Sequence, residues 1–181
     1  MNVVIWQNWQ AHYYKGEKYM RTLYIVRHGK SSWEMPGITD IDRTLLDVGI
    51  SNSYLMAERL VISGAKIDLI ISSNAVRAIH TALILARGLK VKGHQIIIDE
   101  IIYSGECDDI LHRVSDIASE INNVMIVGHN PVFTDLANKF LSKPIDNLPT
   151  SGIVTLTFNS SGWGINGLQP TAWSFDSPKK E

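Results

Sequence analysis

This sequence predicts a single α/β domain, with a mostly parallel sheet flanked by helices on both faces and a late antiparallel hairpin. Three observations carry the prediction. Short apolar runs alternate with stretches of helical periodicity between residues 22 and 141, the pattern of βαβ units. The last two apolar runs, 153–158 and 171–175, have only a Gly- and Ser-bearing turn between them, which reads as a hairpin. The chain has 181 residues, the length of one ordinary domain, with no internal repeat or low-complexity tract to divide it.

Each element has its own signal. The run Leu23-Tyr24-Ile25-Val26 reads as a buried strand over 22–26. A loop with Pro36 and Gly37 follows. A helix is predicted over 48–62, because Ile50, Tyr54, Ala57 and Val61 fall on one helical face. Residues 68–72 form a second strand. Ser73 is the expected N-cap of a helix reaching 87, striped by Val76, Ile79, Leu83 and Ala86. A third strand lies at 95–98. A helix over 108–121 carries Ile110, Val114, Ile117 and Ile121, and a fourth strand occupies 124–127. The last helix, 131–141, opens with Pro131, a favoured first-turn residue.

The chemistry lies just past three of these strands. The first delivers Arg27-His28-Gly29-Lys30. The second is followed by Ser73-Asn74-Ala75-Val76-Arg77, and the fourth by Gly128-His129-Asn130-Pro131. Parallel strands put their carboxyl ends on one edge of the sheet, where open α/β sheets bind ligands. Arg27, His28, Arg77 and His129 are therefore expected in one pocket. Planar guanidinium groups clamp phosphate bidentately, and a neutral imidazole beside them is a nitrogen nucleophile. Arg77, in the first turn of its helix, adds the anion preference of a helix N-terminus. A metal site is the weaker reading, since fixed cations repel a divalent ion, so no metal or cofactor is expected. Each residue also has a plain alternative: a satisfied strand-end histidine, a solvated helix arginine, a solvated loop serine.

These motifs, with Thr81 after Arg77 and Leu148-Pro149-Thr150-Ser151-Gly152 later, resemble the histidine phosphatase superfamily in its short SixA-type branch of protein-phosphohistidine phosphatases. The resemblance runs from about residue 21 to 180 and implies a phosphoglycerate mutase-like fold over 21–181. It implies catalytic roles for His28 as nucleophile, for Arg27, Arg77 and His129 around the phosphoryl group, and for Glu100 as proton donor. Gly29 and Ser31 would contact phosphate, with Ser32 and Arg43 as further candidates. Asp40, Asp42 and Asp47 read as a polar loop and helix start. The chain departs from the family pattern at Thr44 and Asn74, where many relatives have proline. It departs again at Glu34, where mutase-like members place a phosphate-contacting asparagine. A carboxylate there opposes a mutase reading.

A net charge of −1 lacks the basic excess of a nucleic-acid binder. No apolar run is long enough for a membrane span. A lone cysteine, Cys107, permits no internal disulfide and fits a cytoplasmic location. Residues 1–20, crowded with Trp6, Trp9, Tyr13, Tyr14 and Tyr19, make a poor signal peptide and read as a leader outside the domain, with a packed or partner-binding arm as the alternative. The function expected is a metal-independent phosphatase acting on phosphohistidine. Its partner would be a phosphotransfer domain or phosphocarrier protein, with phosphate or another oxyanion in the site. The alternatives are a small-molecule phosphomonoesterase and a non-catalytic phosphoprotein-binding module.

Overall fold

The computed structural model describes residues 19–32 and 37–179. Most of the leader, together with Glu34 and Pro36, lies outside the described residues.

Six strands form one sheet in the order β3-β2-β4-β1-β5-β6. They are β1 (Met20–Arg27), β2 (Leu69–Ser72), β3 (Ile96–Ile98), β4 (Asn123–Gly128), β5 (Ile153–Asn159) and β6 (Ala172–Asp176). The β3-β2-β4-β1 portion is parallel. The late hairpin is antiparallel: β5 pairs with β1, and β6 with β5.

Alternation along the strands sorts the core into two layers, because successive side chains point to opposite faces. Leu23, Ile25, Ile126, Val154 and Leu156 meet α3 (Ile101–Ser104), α4 (Cys107–Ser115) and α5 (Val132–Asn138) on one face. Tyr24, Val26, Met125 and Ile153 meet α1 (Asp47–Ile62) and α2 (Val76–Leu89) on the other. The helix after β1 thus covers one face and the helix after β4 the opposite one. The crevice this opens at the carboxyl ends of β1 and β4 is the expected ligand position in an open sheet. Among the described residues, no helix is long and apolar enough to cross a membrane.

The structure corrects four local expectations. First, helix α1 exists as predicted but turns a different side inward. It buries Gly49, Ser53, Met56, Ala57 and Leu60, while Tyr54 and Val61 are exposed. Second, α2 likewise buries Arg77, Ala78, Thr81, Ala82 and Leu85 and exposes Val76 and Leu83. In both helices small residues win the inward face because the two helices pack closely. A Cβ on Gly88 would stand 2.8 Å from the Cβ of Ala57. Third, Ser73 is not the N-cap of α2; that position is Ala75, and the Ser73 hydroxyl accepts from the Ala75 amide at 3.1 Å. Fourth, the helix predicted over 108–121 stops at Ser115, though Ile117 still packs into the core. The buried Arg21 guanidinium takes the Ser119 carbonyl at 2.6 Å and contacts Asn122, competing for the backbone that a longer helix would need.

One close approach fixes the loop after β1. A Cβ on Gly49 would lie 2.2 Å from the Lys30 carbonyl oxygen, and one on Gly29 would lie 2.8 Å from the Gly49 carbonyl oxygen. The first turn of α1 rests directly on the backbone of residues 29–30. Glycine to alanine inside a helix ordinarily stabilises by about 1 kcal/mol. Here Gly49→Ala is expected to destabilise instead, by about 3 kcal/mol, because the obstacle is backbone and overpacking cannot relax cheaply. The check is a denaturant titration, in which the midpoint falls while the slope stays unchanged.

Candidate active site

The residues past β1, β2, β3 and β4 converge on one cleft of about 490 Å³. It is lined by Arg27, His28, Lys30, Ser31, Asp40, Arg43, Arg77, Tyr103, His129, Asn130 and Thr150. A second cleft of about 470 Å³ lies between α1, β1 and β5, and no histidine lines it.

His28 extends the ladder past β1, its amide donating to the Gly128 carbonyl at 3.0 Å. The imidazole is buried. Nδ1 lies 2.7 Å from the Gly29 carbonyl oxygen, an acceptor only, so Nδ1 carries the proton. That leaves Nε2 with a free lone pair, and Nε2 accepts from Arg77 Nε at 3.2 Å. Burial first, and then the charges of Arg77, Arg27 and Arg43, push the pKa of His28 down to about 4 against the pull of the Gly29 carbonyl.

Arg77 is the hub. Besides His28, it donates from Nη2 to Asp40 Oδ2 at 2.8 Å and to His129 Nδ1 at 3.2 Å, and from Nη1 to the Asp40 carbonyl. His129 sits 4.9 Å from His28 between ring centroids, and its Nε2 pairs with the Ser73 hydroxyl at 2.7 Å. Burial, then His28 and Arg77, lower the His129 pKa to about 3, while Asp40 opposes this. Both rings are therefore neutral in this arrangement, and each turns a lone pair toward the same guanidinium.

Arg27 is half-buried and reaches sideways, donating from Nη1 to the Leu148 carbonyl at 2.9 Å. Its buried Nε–H has no partner among the described residues. An unpaired buried donor is costly, and an anion in the cleft would relieve it. The segment 148–152 braces this corner. The Ser151 amide donates to the carbonyls of Arg27 and His28 at 3.1 and 3.2 Å, with Ser151 at φ 60°.

The structure brings Arg27, His28, Ser31, Arg43, Arg77 and His129 together, as the sequence suggested. It does not bring in Glu100, Gly29 or Ser32. Glu100 is exposed at the residue before α3 and does not line the cleft. Gly29, expected to contact phosphate, does not line the cleft: its missing Cβ admits α1, and its amide donates to Thr81 Oγ1 at 3.0 Å. Asp42 and Asp47 lie where a polar loop and helix start were expected, with Asp42 accepting from Thr39 at 2.6 Å. Asp40 does not fit that description, because its carboxylate projects into the cleft.

Asp40 and Tyr103 are the residues sequence reasoning missed. Asp40 lies in a 3-10 turn with no periodicity to mark it. Tyr103 stands on the four-residue α3, and its position past β3, the fourth parallel strand, was the signal available. Its hydroxyl donates to Asp40 Oδ2 at 2.9 Å, and its ring meets His129 edge-on at 5.2 Å.

Parallel strands presenting two histidines and three arginines in one cleft give the arrangement of a hydrolase of the histidine-phosphatase type. Residues 23–102, a little under half of the chain, match the family described as the histidine phosphatase superfamily (branch 1). A candidate phosphohistidine phosphatase SixA from Agrobacterium tumefaciens is 25% identical, with a TM-score of 0.72 over 88% of this chain and 99% of its own. A second SixA candidate, from Nakamurella multipartitia, shares the fold at 18% identity and a TM-score of 0.75, covering 88% of this chain and 96% of its own. The protein histidine phosphatase SixA complexed with tungstate shares it at 20% identity and a TM-score of 0.71, covering 87% and 97%.

Proposed function

We propose that this chain is a metal-independent phosphatase that removes the phosphoryl group from phosphohistidine on a signalling or phosphocarrier protein in the cytoplasm. The observation that carries the reading is the tautomer of His28: the proton is held on Nδ1 by the Gly29 carbonyl, so Nε2 offers a lone pair beside Arg77. Nε2 attacks phosphorus, the bond from phosphorus to the leaving group breaks, and its electron pair leaves with that group. Water then attacks the phosphoryl group on His28 and releases phosphate, returning the electron pair to Nε2. Arg27, Arg77 and Arg43 hold the phosphoryl oxygens and offset the charge that develops on them. A phosphoryl dianion opposes the arginines' effect on His129 and favours its protonated form, whose Nδ1–H then donates to a phosphoryl oxygen.

The lining supports a mechanism without metal, because the fixed charges of Arg27, Arg43 and Arg77 repel a divalent cation and attract an oxyanion. A dedicated acid is dispensable with this substrate. A phosphate ester expels an alkoxide, whereas phosphohistidine expels imidazole, whose conjugate acid has a pKa of about 6.5. The exposure of Glu100 outside the cleft agrees with that. The likeness to SixA structures over most of the chain supports a protein substrate.

The test follows phosphate release from a panel of phosphohistidine proteins, sugar phosphates and p-nitrophenyl phosphate, with and without excess chelator. Release from a phosphohistidine protein should survive chelator and be inhibited by tungstate or vanadate, which imitate the phosphoryl group in a cationic cleft. Activity on sugar phosphates alone would assign the cleft to a small-molecule phosphomonoesterase. Activity lost in chelator and restored by metal would contradict the mechanism.

A further inference from the structure

Asp40 is the only carboxylate among the described residues lining the cleft, against four cationic side chains. It stands across Arg77 from the nucleophile: Arg77 donates to His28 Nε2 at 3.2 Å and to Asp40 Oδ2 at 2.8 Å. Tyr103 donates to the same oxygen at 2.9 Å, and Arg43 Nε lies 3.1 Å from Oδ1. The side chain is 43% exposed, so it faces both the cationic floor and the mouth of the cleft. A site built only to bind phosphate gains nothing from such a group, which competes with the phosphoryl oxygens for Arg77.

We propose that Asp40 determines specificity by selecting a cationic leaving group, the protonated ring of phosphohistidine, over ester leaving groups. This rests on the phosphohistidine phosphatase reading of the cleft. The chemistry of the P–N bond gives the reason. When the ring nitrogen remote from phosphorus carries a proton, attack by His28 Nε2 forms the new N–P bond as the old one breaks. The electron pair returns to a ring that was cationic and leaves as neutral imidazole, its proton still on the remote nitrogen. Without that proton the ring must leave as imidazolide, a far stronger base. A carboxylate at the mouth favours the protonated ring on the way to the transition state, and it disfavours a phenolate or alkoxide that becomes anionic as it departs.

A proton-donor role for Asp40 is the competing assignment, and its contacts oppose it. Burial alone would raise its carboxyl, but the hydrogen bonds from Arg77 and Tyr103 and the charges of Arg77 and Arg43 outweigh that and hold it below the usual range. It is an anion at neutral pH and acts as one.

The test compares kcat/KM for phosphoimidazole and p-nitrophenyl phosphate in the full chain and in Asp40→Asn and Asp40→Ser, with folding checked by thermal melting. Removing a charge at this range from a partly exposed site should lower the phosphoimidazole to p-nitrophenyl phosphate ratio about tenfold. Tungstate should bind both variants more tightly, because its competitor for Arg77 is gone. An unchanged or increased ratio, even with tighter tungstate binding, would overturn the selectivity and leave Asp40 as a competitor only. The wild-type protein gives an independent reading that needs no variant. It should prefer N-methyl phosphoimidazolium, whose ring charge is permanent, to p-nitrophenyl phosphate, and the reverse preference would also overturn the proposal. If the wild type hydrolyses p-nitrophenyl phosphate but neither phosphoimidazole nor any phosphohistidine protein, it is the function reading that fails. If it hydrolyses those and the variants keep its ratio, only the role of Asp40 fails.

Discussion

His28→Ala is expected to reduce turnover by about 10⁵-fold or more, the scale on which covalent nucleophiles fail when deleted. The protein should stay folded, because the ring lies at the floor of a cleft and its loop is held by backbone contacts: the Ser151 amide to the carbonyls of Arg27 and His28, and α1 against Lys30. The wild-type pH profile checks the same residue. A nucleophile must be unprotonated, and the cleft lowers the His28 pKa to about 4. The acid limb of kcat/KM, which reports the free enzyme, should therefore fall near pH 4 once the substrate's own ionisation is taken into account. An ordinary histidine would lose activity near pH 6.5.

Arg77→Ala should cost on the order of 10³-fold in kcat, at or above the usual loss for one transition-state donor, since a single guanidinium serves several acceptors here. Arg77→Lys should recover only part of this, because an ammonium keeps the charge and loses the planar fork. Loss of activity alone would also follow from misfolding, so the pH limb again discriminates. The Arg77 charge is one of the causes that lower His28 and His129. Removing it should move both pKa values up and shift the acid limb of the residual activity toward neutral pH. A variant that lost activity with its acid limb unmoved would place Arg77 outside the electrostatic account.

The sheet and the four central residues were legible because they depend on local patterns. Apolar runs of strand length ending in polar residues marked β1, β2 and β4, and parallel pairing then required Arg27, His28, Arg77 and His129 to share an edge. The inward faces of α1 and α2 were not legible, because periodicity weights large apolar residues. Close packing of α1 on residues 29–30 instead buried Gly49 and Ser53, α2 buried Ala78 and Ala82, and Val61 and Leu83 were left outside. Asp40 was misread for a different reason. An aspartate in a turn is ordinarily solvated, and only the three-dimensional approach of Arg77 and Tyr103 from distant elements, beside Arg43 three residues on, sets it apart. Gly29 shows the same limit: it was expected to contact phosphate, and the structure shows the first turn of α1 packed against it.

Phosphoryl transfer through Nε2 of His28 leaves a covalent phosphoenzyme, and mapping its site reads the nucleophile out. The wild-type protein is mixed with a phosphohistidine protein or phosphoimidazole, quenched in alkali during turnover, digested and sequenced by mass spectrometry. An acid-labile, alkali-stable phosphoryl group is expected on His28, absent from His28→Ala. A phosphoryl group on His129 or on a serine, or steady turnover by His28→Ala, would contradict it.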